Sequence, residues 1–262
     1  MAKKRKLKKP VAIVVGIAAF FIIYFIAFQI GSKLERDAAE VPKTAVNDED
    51  IKKPLISQLK AKEKLYISDG KASDVRIEDD TRKEILYSFE GFKEVRKPDS
   101  YKSIYEGYSD DGLKFSTDLN YFRVYTVSKE QYFKVPIAGK KQFKGMLDKA
   151  IYTSFDLITK TEKWKEVELK SGKETKKIHK WKFGDLSHKM VSKRIMGKVQ
   201  PEKNRDRSKY NFEINIDCES YKIKIETMGR EYVKITCKDT VAYYEVYTGM
   251  FDYLKNDIFE IK

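Results

Sequence analysis

The sequence predicts an α+β protein in which one N-terminal transmembrane helix precedes an extracytoplasmic region of antiparallel sheets and packed helices. Three observations predict it. Residues 11–30 carry no charge, and about 20 apolar residues at 1.5 Å rise cross a bilayer core. Beyond them, short runs rich in Tyr, Phe, Val and Ile are separated by Asp, Asn and Gly turns, the pattern of strands. These runs follow one another with helical patterns at their ends, which favours α+β over the strict alternation of a doubly wound sheet.

The membrane segment sets the orientation. Lys3, Lys4, Arg5, Lys6, Lys8 and Lys9 form a basic flank over residues 1–10, and no acid appears before Glu35. Positive charge stays inside, so the N-terminus is expected in the cytoplasm and the rest outside, as a single-pass protein of the cell membrane. A cleaved signal peptide would have a shorter apolar core and a small-x-small exit, whereas this run leaves through Gln29-Ile30-Gly31-Ser32. It is therefore expected to remain as an anchor.

Residues 31–63 are polar and punctuated by Pro42 and Pro54, which makes them a tether. Within it, Leu55, Ile56 and Leu59 can form one helical turn after Pro54, a residue suited to a first helical position. A first α+β unit is expected over residues 64–158. Leu65-Tyr66-Ile67 and Val75-Arg76-Ile77 are strand candidates. Thr81-x-x-Glu84 has the form of a capping box, with Ile85, Leu86, Phe89 and Phe92 following at helical spacing. Strands are expected over 103–108, 113–117, 121–127 and 131–137, with turns at Asp110-Asp111-Gly112 and Asp118-Leu119-Asn120. Phe143, Met146, Leu147, Ala150 and Ile151 then line one face of a helix.

A basic connector over residues 159–178 leads to a second unit, 179–262, in the same order. Trp181-Lys182-Phe183 takes the place of Val75-Arg76-Ile77, and Asp185-Leu186-Ser187 that of Asp79-Asp80-Thr81. A helix through Val191, Ile195 and Val199 is expected next, then strands over 210–216, 221–226, 232–236 and 242–247. Phe251, Leu254 and Ile258 mark a closing helix. Tyr132-Phe133-Lys134-Val135 matches Tyr243-Tyr244-Glu245-Val246 at a spacing of 111 residues. The chain thus reads as two tandem β-α-β-β-β-β-α units.

Charge is local. The whole chain carries a net +14, of which the flank accounts for six. Residues 160–210 hold 17 basic and 7 acidic side chains, so the rest of the exterior is slightly acidic. Lys173, Lys176, Lys177, Lys180, Lys182, Lys189, Lys193 and Arg194 in this segment are the candidate contacts to an anionic surface. Topology argues against nucleic acid as their partner. Lipid headgroups, an anionic wall polymer or an acidic protein face remain, each gaining from a polybasic segment near its surface.

Catalytic and metal signatures are missing from the sequence. It has no P-loop, no GxGxxG after a strand, no HExxH and no CxxC, so no cofactor or metal is expected. An enzyme acting on wall or lipid-linked material would have to draw on Asp79, Asp80, Asp110, Asp111 and His188. Cap and turn roles explain these acids equally well. Cys218 and Cys237 fall at the ends of strands separated by a third in a simple meander, about 10 Å apart, which is beyond disulfide reach. Two free thiols are expected. A lysine-rich, cysteine-poor exported chain without an Asn-x-Ser/Thr sequon fits a bacterial envelope. The expected role is a binding or scaffolding module, an accessory or sensor that meets an envelope protein partner.

Overall fold

A hairpin opens each of two antiparallel sheets in the computed structural model, which describes residues 53–190, 192–195 and 212–261. The basic flank, the apolar run 11–30 and the tether as far as residue 52 lie outside the described residues. No helix among the described residues is long and apolar enough to cross a membrane.

The first sheet contains β1 (Leu65–Ser68), β2 (Val75–Arg76), β3 (Lys93–Val95), β4 (Tyr105–Ser109), β5 (Lys114–Thr117), β6 (Tyr121–Tyr125) and β7 (Glu130–Lys134). The second contains β8 (Trp164–Ser171), β9 (Glu174–Lys177), β10 (Ser192–Ile195), β11 (Phe212–Cys218), β12 (Lys222–Thr227), β13 (Tyr232–Cys237) and β14 (Thr240–Val246). The first sheet runs β2-β1-β4-β5-β6-β7-β3, and the second, read from its far edge, β9-β8-β11-β12-β13-β14-β10. Those orders are identical strand for strand.

The match extends to single hydrogen bonds. Ile77 N–H donates to Leu65 O at 2.9 Å, and Ile178 N–H to Val167 O at 3.2 Å. After the next hairpins, Asp118 N–H donates to Tyr121 O at 3.3 Å, and Met228 N–H to Tyr232 O at 2.8 Å. Val135 N–H donates to Asn120 O at 2.9 Å, and Val246 N–H to Glu231 O at 2.7 Å. Helices take matching places too. α1 (Leu55–Lys60) leads in, and α2 (Asp79–Ser88) follows β2. α3 (Lys140–Tyr152) and α4 (Phe155–Ile158) follow β7, α5 (Phe183–Lys189) follows β9, and α6 (Gly249–Asp252) runs into a π-helix at Tyr253–Ile258.

Several sequence expectations change. Each half is built β-β-α-β-β-β-β-β-α, because a short strand after the first helix (β3 or β10) crosses to the far edge. The segment expected as a connector, 159–178, contains β8 and β9. A bulge between Trp164 and Glu166 shifts the register against β11, which breaks the two-residue alternation that reveals a strand. β10 stands where a helix through Val191, Ile195 and Val199 was expected, with Val191 and Val199 outside the described residues. The counterpart of Val75-Arg76 is Lys176-Lys177. Trp181 lies in a 3-10 turn, Lys180–Lys182, and Asp185-Leu186-Ser187 lies inside α5. Helix α2 begins at Asp79, so Thr81 is one of its buried residues and no side chain caps its start. The body also reaches back to Pro54: α1 buries Leu55 and Leu59, and Gln131 Oε1 accepts from Leu55 N–H at 2.6 Å.

One continuous apolar core runs beneath both sheets. The end of the first half supplies the join. Tyr152 meets Tyr221 with ring centres 5.6 Å apart, and Phe155 meets Tyr244 at 4.6 Å. Trp164 Nε1 donates to Ile158 O at 3.0 Å. Ile151, Tyr152 and Ile158 are all fully buried, each such side chain contributing about 1.5–3 kcal/mol by leaving water.

Candidate binding surfaces

The basic segment does not form one patch. Lys173 sits at the tip of the β8–β9 hairpin beside Gly172, whose φ of +59° suits a residue without a side chain. Lys176 turns toward the core. Its Nζ donates to Ile258 O at 2.6 Å, lies 5.4 Å from the Phe259 ring and pairs with Glu174 at 3.2 Å. Lys177 points the other way and pairs with Glu166 at 2.5 Å; that hydrogen bond and the carboxylate's charge raise its pKa. Lys193 and Arg194 are in β10, at the opposite edge from β9. Six strand spacings separate the two edges, roughly 29 Å. The eight residues therefore do not form one compact cluster.

On the outer face of the second sheet, lysines and acids alternate across strands. Lys170 pairs with Glu168 at 2.9 Å and Glu213 at 3.7 Å, and Lys224 with Glu213 at 2.8 Å and Glu226 at 3.0 Å. Lys234 reaches Glu226 at 3.7 Å, and Lys222 reaches Asp217 at 3.0 Å. With Lys177 and Glu166 this lattice is balanced, so it projects no field to attract a polyanion. Exposed pairs of this kind contribute about 0–1 kcal/mol each. Lys173, Lys180, Lys182 and Lys189 stand apart from it, with no carboxylate paired to them among the described residues. Lys182 Nζ lies 5.1 Å from the ring of Trp181, which is 74% exposed.

The acids and histidine considered for catalysis lie on separate elements. Asp79 and Asp80 occupy the first turn of α2, each 3.9 Å from a cation, Arg82 and Lys83 respectively. Carboxylates are favoured at a helix start by its dipole. Asp110 and Asp111 sit in the turn from β4 to β5, where Gly112 has φ +88°. Burial raises the Asp111 pKa, but hydrogen bonds from Lys62 and Ser109 outweigh it and hold the carboxyl below its usual range. His188 is exposed on α5. Among the described residues no group of three or more His, Cys, Asp or Glu could hold a metal ion.

A polar cluster of the first half is met by one lysine of the second. Tyr105 OH donates to Asp148 Oδ1 at 2.7 Å, and Tyr152 OH donates to Asp69. Lys238, at φ +51° in the turn between β13 and β14, sets its ammonium 3.3 Å from the centre of the Tyr152 ring. Burial lowers the Lys238 pKa, partly offset by Asp69. Cys218 and Cys237 are buried free thiols in β11 and β13, with β12 between them. Burial pushes their pKa values up to about 11 and about 12. Both hydroxyl–carboxylate bonds lie within the first half, and Lys238 over the Tyr152 ring is the contact here that reaches it from the second.

The surface that sequence reasoning missed is the outer face of the first sheet. Strand register places Arg76, Tyr66, Tyr108, Lys114, Tyr125 and Glu130 in one row across six strands. Tyr66 and Tyr108 stack with centres 5.0 Å apart. The Arg123 guanidinium lies 4.0 Å from the Tyr125 ring and 2.7 Å from Glu130. The same row of the second sheet reads Lys177, Glu168, Asn215, Lys224, Thr236 and Val241. Basic positions persist, but all three tyrosines are replaced. Comparison with protein-family models, curated proteins and solved structures gave no match to this chain.

Proposed function

We propose that this chain is a single-pass, membrane-anchored extracytoplasmic binding and scaffolding module, an accessory or sensor component of a bacterial envelope assembly. Its two halves derive from one duplicated unit, and the first sheet supplies the recognition face. The observation that carries this reading is the divergence of two otherwise matching rows: tyrosines and arginine on the first sheet, a self-neutralised charge lattice on the second. Tyrosine and arginine are enriched among residues that dominate binding energy, whereas lysine and glutamate are depleted. The uncharged run 11–30 and its basic flank support the anchor and the outward orientation.

The test grafts the second row onto the first as Tyr66→Glu, Tyr108→Asn and Tyr125→Thr. Wild type and variant are crosslinked in intact cells and recovered through the C-terminus, alongside surface protease treatment. The expected result is cleavage from outside, reproducible recovery of an envelope partner by wild type, and loss of that partner with an unchanged melting curve in the variant. Protection from external protease would overturn the topology. Equal partner recovery by both forms would overturn the recognition face.

A further inference from the structure

The two sheets end differently at their matching edges. On an outermost antiparallel strand, every second residue directs its N–H and C=O away from the sheet. In β2 that residue is Arg76, opposite Tyr66, and both its groups are capped. Its N–H donates to Asp156 Oδ2 at 3.0 Å, and its carbonyl accepts from Ser154 Oγ at 2.9 Å. The Asp74 carbonyl, one step along, accepts from Lys160 Nζ at 3.1 Å. The first sheet is closed there by α4 and the residues flanking it.

In β9 the matching residues are Lys177 and Thr175, opposite Glu168 and Lys170. Both are exposed, and among the described residues nothing reaches their outward N–H and C=O groups. Four main-chain groups are therefore available along one edge. Around them lie the lysines that have no carboxylate: Lys173 at the hairpin tip, then Lys180 and Lys182 in the turn that follows, with exposed Trp181 between them. Lysines along an edge deter neutral strands, which would desolvate them without compensation, and repel basic ones. An acidic strand replaces that repulsion with attraction, so the same side chains give selectivity.

We infer that β9 is a docking edge which takes an extended acidic segment of a partner protein as an added strand of the second sheet. Main-chain bonds to Thr175 and Lys177 supply affinity, and carboxylates facing Lys173, Lys180 and Lys182 supply selectivity, the division of labour usual for strand addition. This edge is separate from the tyrosine face and does not depend on it.

The test uses the full chain in detergent and a synthetic six-residue peptide alternating aspartate with valine. Its controls are a lysine-for-aspartate version and one N-methylated at alternate residues. Thr175 makes no ladder bond to β8, so Thr175→Pro removes an outward N–H while sparing the sheet, a position where edge proline is tolerated. The expected result is salt-sensitive binding of the acidic peptide with slowed hydrogen exchange at the Thr175 and Lys177 amides. Affinity should fall up to about tenfold in Thr175→Pro, as for one lost hydrogen bond, and by more than that in Lys173→Glu/Lys180→Glu/Lys182→Glu, where attraction becomes repulsion. Neither control peptide should bind. The graft at Tyr66, Tyr108 and Tyr125 should leave this binding intact. Equal binding to Thr175→Pro, or to the N-methylated peptide, would show charge attraction without strand addition and overturn the proposal. So would no binding at all. Protection of both amides before peptide is added would mean that the edge is already covered within the chain and would overturn the proposal.

Discussion

Tyr244 in β14 donates its hydroxyl to the carbonyl of Thr153, just past α3, at 2.6 Å and 91 residues back along the chain. Both residues are buried, and burial raises the tyrosine's pKa, so the phenol stays a donor at any physiological pH. Tyr244→Phe keeps the ring against Phe155 but strands the carbonyl, and is expected to cost about 1–3 kcal/mol. Urea unfolding followed by tryptophan fluorescence and by far-ultraviolet circular dichroism checks it. Because the core is continuous, the two probes should give one coincident transition in both proteins. Separate transitions would mean that the halves fold independently.

Gly107 in β4 and Ile214 in β11 occupy matching positions, opposite Phe115 and Ile225. A Cβ on Gly107 would lie 2.2 Å from Cζ of Phe115 and 2.3 Å from the Tyr66 carbonyl oxygen. The phenylalanine ring fills space that an isoleucine side chain uses in the other sheet. Gly107→Ala is therefore expected to destabilise by about 1–3 kcal/mol or more, the range for overpacking. Adding Phe115→Leu should recover only part of that loss, since the main-chain contact with Tyr66 persists. Thermal unfolding of both singles and the double measures the coupling. Full recovery would show that the ring alone makes glycine necessary.

Strands with clean two-residue alternation were legible in the sequence. β11 to β14 and β4 to β7 lie within a few residues of their expected places, and most of them bury one face and wet the other, although β5 and β7 also bury adjacent residues. β8 was hidden by its bulge, and β3 and β10 by their composition, since Lys93-Glu94-Val95 and Ser192-Lys193-Arg194-Ile195 each hold a single apolar residue. Element order suggested the repeat, but the alignment near Trp181 was wrong by five residues. The binding surfaces were less legible. Tyr66, Tyr108 and Tyr125 stand at the solvent positions of their strands, a visible signal, yet only register shows that they share a row. The separation of β9 from β10 depends wholly on strand order.

Cys218 and Cys237 should be inert in the folded protein. The thiolate is the reactive form, and at pH 8 thiols displaced to about 11 and about 12 supply very little of it. Iodoacetamide labelling, read by intact mass, should be about a hundredfold slower or more than for a free cysteine of pKa about 8.5. In concentrated guanidinium both residues should label fully. Rapid labelling of either one in native protein would place it outside the core.

Glu213 offers a pH test of the lattice on the second sheet. Burial pushes its carboxyl up, but hydrogen bonds from Lys224 and Asn215, with the charges of Lys224 and Lys170, outweigh this and hold it below the usual range. A carboxyl depressed in the folded state contributes its full stability above the unfolded value of about 4.3. That contribution disappears as pH falls through the lower folded value. Glu213→Gln should therefore melt slightly below wild type at pH 7, by no more than about 1 kcal/mol for partly exposed pairs. The difference should shrink in high salt, and should vanish in acid once the wild-type carboxyl is protonated. Melting curves at pH 7, 5, 4 and 3 follow it. A gap that widened toward acid would mean that Glu213 titrates above the ordinary range, with its lysine neighbours failing to offset burial.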